Sequence, residues 1–133
     1  ALEAELLGGE MTALARAQVR QAKRSVRSQG QFNSRLDNFR SNLSNRAIKA
    51  AAQRQVTGKE TGKGGRYNHL QDVQDQLRGL DKLVQQEKNA AAADPENAAA
   101  HELNAAAAER LLTERQQYLQ RQIQQKQQGS TEE

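Results

Sequence analysis

The sequence of 133 residues contains no cysteine and no tryptophan, one proline, and only two tyrosines and two phenylalanines. Without cysteine, disulfides and thiolate metal sites are excluded, and redox chemistry says nothing about the compartment. Large apolar residues are scarce as well: Val, Ile, Leu, Met and Phe together number 24. Much of the remaining apolar content is alanine, which favours helix but buries little surface, so a thin core of modest stability is expected. No apolar run approaches the roughly 18–20 residues of a membrane span, and no stable membrane association is expected. The chain does not begin with Met and shows no signal peptide, so it reads as a segment of a longer protein whose export signal would lie upstream.

What is present is cationic and unevenly spread. The net charge is +4, but residues 1–66 hold 13 Lys/Arg against 5 Asp/Glu, and residues 67–133 hold 7 against 11. Between 16 and 66 only Asp37 and Glu60 are acidic. A basic block of this kind is the footprint of a polyanion binder, RNA or DNA before an anionic membrane, or else a solvated helix face.

Apolar spacing predicts four helices and no strand, an all-α bundle. The first is expected over about 2–28, with Leu7, Met11, Leu14, Ala22 and Val26 inward and Gly8-Gly9 weakening its start. "SQGQFN" at 28–33 reads as a turn. A second helix over about 33–56 places Phe32, Leu36, Phe39, Leu43, Ala47 and Ala50 on one face. A glycine-rich loop follows at about 57–66. The third helix has Leu70, Val73, Leu77, Leu80 and Val84 at strict 3/4 spacing, with Asn68 as its cap and Asp72 in its first turn. "DPEN" at 94–97 starts the fourth, with Asp94 as cap and Pro95 at the first helical position. It is expected to run to about 127 with Leu103, Ala107, Leu111, Leu112, Leu119 and Ile123 inward, and the tail from 129 to fray. The short connection makes the third and fourth helices an antiparallel hairpin. The domain reading is a basic helical region over 1–57, a helical core over 58–128 and a tail over 129–133.

Four glycines (Gly58, Gly62, Gly64, Gly65) interrupt this helical chain ahead of Tyr67, Asn68 and His69. A small-residue loop before a helix start turns backbone N–H groups and the positive dipole end toward an anion. Lys59, Lys63 and Arg66 would hold a phosphate there, Gly64 and Gly65 would let a nucleic-acid backbone approach, and Tyr67 would stack on a base. No Walker A pattern is present. Histidine exchanges protons near neutrality, so His69 is able to take the proton of a ribose 2′-OH while Lys or Arg stabilises the phosphorane charge. On chemistry alone two readings stand: a catalytic base, or a cap and surface residue. His69 and Asp72 stand at i, i+3, but no third ligand with metal spacing accompanies them, and no cofactor is expected. His101 is excluded as a partner, because a hairpin turning near 93 sets it roughly 24 Å from His69 along the axis. It is expected at the surface. The part of the fourth helix level with His69 falls near 115–121, which brings in Arg115, Tyr118 and Arg121.

The run "GKGGRYNHLQDVQDQLRGLDKLV" at 62–84, with "AAAAERLLTE" at 105–114, resembles the C-terminal toxin domain called polymorphic toxin type 28. The matching positions are Gly64/Gly65, Tyr67, Asn68-His69, Asp72-Val73, Gly79-Leu80 and Ala108 to Leu112, within about 59–120. Asn68 stands where Asp is commoner, Asp72 where Glu is commoner, and Leu77 where Gln is expected. The resemblance implies a ribonuclease at the end of a contact-dependent or secreted effector, acting in the cytoplasm of a rival bacterium. Its implied substrate is tRNA, cut in known cases near the 3′ acceptor end, and its implied partners are a cognate immunity protein and, for some members, elongation factors Tu and Ts with GTP. By position it implies His69 as catalytic residue with Tyr67, Asn68 and Asp72 beside it. Residues 1–57 lie outside it and are assigned to cell uptake, factor binding or gripping of RNA. The alternatives are a non-enzymatic helical nucleic-acid-binding or adaptor module and a DNase toxin, against which the absence of an acidic metal cluster counts.

Overall fold

A computed structural model describes residues 12–59 and 68–132, with side chains described as far as Gly129. Four α-helices account for nearly all of them: α1 (Ala13–Asn42), α2 (Asn45–Thr57), α3 (His69–Ala93) and α4 (Ala98–Glu132), with a single 3-10 turn at Pro95–Asn97 before α4. There is no strand among the described residues, so the chain is all-α. None of these helices is long and apolar enough to cross a membrane. The described residues up to Ser34 form one compact unit and those from Arg35 onward a second. Residues 35–57, which the charge pattern groups with the basic region, therefore pack in the same unit as α3 and α4.

In the second unit α3 and α4 make the most extensive contact, and α2 packs on both. The turn between α3 and α4 is built as the sequence predicts. Asp94 precedes Pro95, whose fixed φ suits the first helical position. Asp94 does not cap through its side chain, however. Its carboxylate accepts from the Asn97 side-chain amide at 2.8 Å instead. The last part of α1 runs antiparallel to α3, since Arg35 donates to Gln86 (3.0 Å) and Asn42 to Gln76 (3.3 Å). The direction of α2 follows from two bonds to α4: Arg115 donates to Asn45 at 3.2 Å and Lys126 to Gln53 at 3.2 Å. Both positions advance together, so α2 and α4 are parallel.

The core is thin, as expected. Its fully buried large side chains are Leu43, Ile48, Val73, Leu80, Leu83 and Val84, with Ala51, Ala52, Ala105 and Ala108 between them. Small residues let helices approach closely, and Gly79 does this most sharply. A Cβ there would stand 2.9 Å from Cε1 of the Phe39 ring.

Several expected features are corrected. The turn at 28–33 does not form: α1 passes through Gly30, and Gln29 donates to Asn33 across it. A glycine costs a helix interior only about 1 kcal/mol, too little to stop a helix without a competing cap. The break comes at Leu43–Ser44, where Ser44 leaves the helical region (φ −64°, ψ 160°) and its hydroxyl accepts from the Ala47 N–H. Leu14, Ala22 and Val26 do not face a core; Leu14 and Val26 are 69% and 74% exposed. Leu103 is 72% exposed and Ala107 is exposed too, while Asn104, Ala105 and Ala108 are buried. In an alanine-rich helix a lone leucine is a poor guide to the inward face. The fourth helix also extends beyond 127, to Glu132. Leu7, Met11 and Gly8-Gly9 lie outside the described residues.

Candidate nucleic-acid site at the end of the bundle

α2 ends at a glycine for a local reason. Gly58 adopts φ 72°, a left-handed conformation that a Cβ disfavours, and its N–H donates to the Arg54 carbonyl at 2.8 Å. Thr57 adds a side-chain link at this end: its hydroxyl donates to the Gln53 carbonyl (2.7 Å) and accepts from the Lys59 N–H (3.1 Å). Lys59 is exposed. The first of the four glycines therefore serves the helix stop.

The chain resumes at Asn68, extended at φ −124° and ψ 90°. Its side-chain oxygen accepts from the Gln71 N–H at 3.0 Å, and its carbonyl accepts from Asp72 N–H at 3.0 Å. Asn68 is thus the N-cap the sequence predicts, satisfying one of the orphan donors at the start of α3. His69 is the first residue of α3 and Asp72 lies in its first turn; both are half-buried and neither is without a partner. An acidic residue in the first turn complements the helix dipole. Farther along, Gln71 donates to Asp75 at 2.9 Å, and Arg78 pairs with the same carboxylate oxygen.

The position of α4 opposite His69 follows from one contact. His101 Nδ1 stands 2.5 Å from a Glu87 carboxylate oxygen, which fixes the register of the antiparallel pair. Counting back along α3 from Glu87 to His69, and forward equally from His101, leads to about Leu119, since both helices rise about 1.5 Å per residue. Tyr118 and Arg121 flank that level, and the Arg121 guanidinium lies over the Tyr118 ring, 5.8 Å from its centroid. Tyr118 is half-buried and Arg121 exposed. Arg115 is tied by its hydrogen bond to Asn45 of α2. Lys126, bonded to Gln53 near the end of α2, is a further cation at this end of the bundle. The sequence pattern did not single it out, because a lysine in a glutamine-rich helix has no distinguishing spacing.

His101 corrects an expectation. It is not a plain surface residue: its side chain is 16% exposed and that of Glu87 11%. Glu87, never singled out from sequence, is buried with Asn104 on the same part of the α3–α4 seam. The pair lies at the turn end of the hairpin, far from His69, as the axial distance argument requires.

Lys63, Gly64, Gly65, Arg66 and Tyr67 lie outside the described residues. No cluster of three or more His, Cys, Asp or Glu side chains suited to a metal occurs among the described residues. Compared with known proteins, the chain matches no family model, no curated protein and no solved structure.

Proposed function

We propose that the chain is a ribonuclease toxin domain acting on tRNA, with His69 as the base that deprotonates a ribose 2′-OH. The observation that carries this reading is the start of α3: a capped helix N-terminus that begins with histidine, directly after a segment rich in glycine, lysine and arginine. A helix start concentrates partial positive charge, favouring a phosphate beside the imidazole. Asn68 contributes by fixing the backbone that carries His69. Asp72 adds a carboxylate within the same turn, able to orient the ring. Lys59, Lys63 and Arg66 are assigned to the phosphates, with Gly64 and Gly65 giving the backbone room and Tyr67 a stacking face. On α4, Tyr118 with Arg121 supplies a second stacking and cationic platform near the level of His69.

Attack of the 2′-oxygen on the adjacent phosphorus breaks the bond to the 5′-oxygen and leaves a 2′,3′-cyclic phosphate and a 5′-hydroxyl. In this reading the proton goes from the 2′-OH to His69, the departing 5′-oxygen takes its proton from solvent water, and neighbouring cations offset the charge gathering on the phosphorane oxygens. The proposal includes a cognate immunity protein in the producer cell, secretion or cell-surface display, and action in the cytoplasm of a target bacterium. Elongation factors Tu and Ts with GTP are the proposed activators.

Expression of the chain in bacteria, as wild type and as His69→Ala, tests the proposal. Growth arrest with broken tRNA in the wild type alone is expected. Intact tRNA with both chains present would set the enzymatic reading aside in favour of a binding module, and degraded DNA with intact tRNA would favour a DNase.

A further inference from the structure

The first unit carries a charged feature that the site above does not use. Arg16, Arg20, Lys23, Arg24 and Arg27 all project from α1 and all are exposed. No Asp or Glu occurs from residue 12 to residue 36. Among the described residues these five cations form no ion pair, whereas cations elsewhere do, as in Arg40 with Asp37 and Lys88 with Glu109. At about 100° per residue, the five fall within an arc of about 100° around the helix, one continuous stripe. Along the axis, Arg16 and Arg27 are about 16 Å apart. One strand of a duplex presents roughly five phosphates over such a length, one for each cation.

Two polyanions compete for such a stripe. A helix that lies on an anionic membrane backs its cations with Leu, Phe or Trp. Here the opposite arc holds Leu14, Ala15, Gln18, Ala22, Ser25 and Gln29, the only other large apolar residues from 12 to 31 are Val19 and Val26 just beyond its edge, and no aromatic occurs before Phe32. That face buries too little to hold a bilayer. An RNA backbone needs no apolar face, and four of the five cations are arginines, whose planar fork matches phosphate.

We infer that the α1 stripe of Arg16, Arg20, Lys23, Arg24 and Arg27 is a binding site for the phosphate backbone of RNA, separate from the residues assigned to cleavage. The inference rests on the proposed substrate class and adds to it a grip outside the cleavage site. Contact with phosphates alone makes binding independent of sequence and steeply dependent on salt.

The test is a titration of bulk tRNA onto the full chain in a His69→Ala background, over about 50–200 mM salt. Changing all five cations to Gln is expected to lower affinity at least about 100-fold near 100 mM salt, and to reduce the slope of log K on log salt by about 3 to 5. Arg20→Gln with Arg24→Gln alone should reduce the slope by about 2, a graded effect that misfolding would not produce. Replacing the four arginines by lysine should keep the slope. An unchanged affinity and slope in the five-Gln chain overturns the inference. So does binding of the parent chain to vesicles of phosphatidylserine and phosphatidylcholine with no binding to tRNA. If the wild-type chain cleaves tRNA and the five-Gln chain binds and cleaves equally well, only the stripe fails. If the stripe binds tRNA that the wild-type chain never cuts, only the ribonuclease reading fails.

Discussion

The ring of Phe39 on α1 lies against the backbone of Gly79 on α3, so closely that a Cβ on Gly79 would stand 2.9 Å from one ring carbon and 3.1 Å from another. This contact gives a mid-helix glycine a packing reason. Gly79→Ala gains about 1 kcal/mol of helix propensity. Against that stands an overpacking cost of about 1–3 kcal/mol. The ring is half-buried, so part of the clash is relieved by its movement. We expect Gly79→Ala to destabilise the wild type by up to about 1 kcal/mol and to stabilise a Phe39→Ala background by about 1 kcal/mol. Denaturant melts of the four chains of this cycle provide the check, and a coupling near zero would remove the contact from the account.

Glu87 and His101 form the buried polar clasp of the α3–α4 hairpin. Removing one partner leaves the other with little solvent, a loss of about 1–3 kcal/mol. His101→Ala and Glu87→Ala should each lower stability by that order, and the double change by less than their sum. Cleavage per folded molecule should be untouched, because the pair lies at the opposite end of the hairpin from His69. Comparing melts with rates normalised to folded protein separates the two effects.

Two helix starts depend on one side chain each. Ser44→Ala and Asn68→Ala should each cost about 1 kcal/mol, since each removes the acceptor for an orphan N–H. The expected difference lies in function. Loss of the Asn68 cap also loosens the turn that carries His69, so its rate should fall more than its stability, and Asn68→Ser, which keeps a capping oxygen, should recover most of both. Ser44→Ala should leave the rate of the folded protein as it was.

The parts of this fold legible in the sequence were those where several local signals agree. Leu70, Val73, Leu77, Leu80 and Val84 keep helical spacing, Asn68 is a favoured cap, and Asp94-Pro95 starts the next helix, so α3, the turn and the hairpin follow. The break after α1 was harder, because Gly30 is the more visible residue and Ser44 the effective one. A glycine merely weakens a helix, while Ser44 offers the chain an alternative hydrogen bond. The inward face of α4 was misjudged only in its first turns, at Leu103 and Ala107, because alanine carries little hydrophobic contrast; Leu111, Leu112 and Leu119 are buried as expected. Glu87 was invisible because carboxylates are ordinarily at the surface, and its partner is across the turn. At the candidate site, the cap and His69 as the first helical residue could be read locally. The stacking of Arg121 on Tyr118 and the tie from Arg115 to Asn45 depend on rotamers and on a neighbouring helix, which spacing alone does not encode.

The central claim is that His69, at the capped start of α3, removes the proton that begins RNA cleavage. It is tested most directly by incubating purified wild-type and His69→Ala chains with tRNA, alone and with elongation factors Tu and Ts and GTP. Product ends are then read on a denaturing gel, and helicity is matched by circular dichroism. The account predicts discrete fragments with 2′,3′-cyclic phosphate and 5′-hydroxyl ends from the wild type, and a rate at least about 100-fold lower from His69→Ala. Intact tRNA under every condition, or equal cleavage by the two chains, would contradict it.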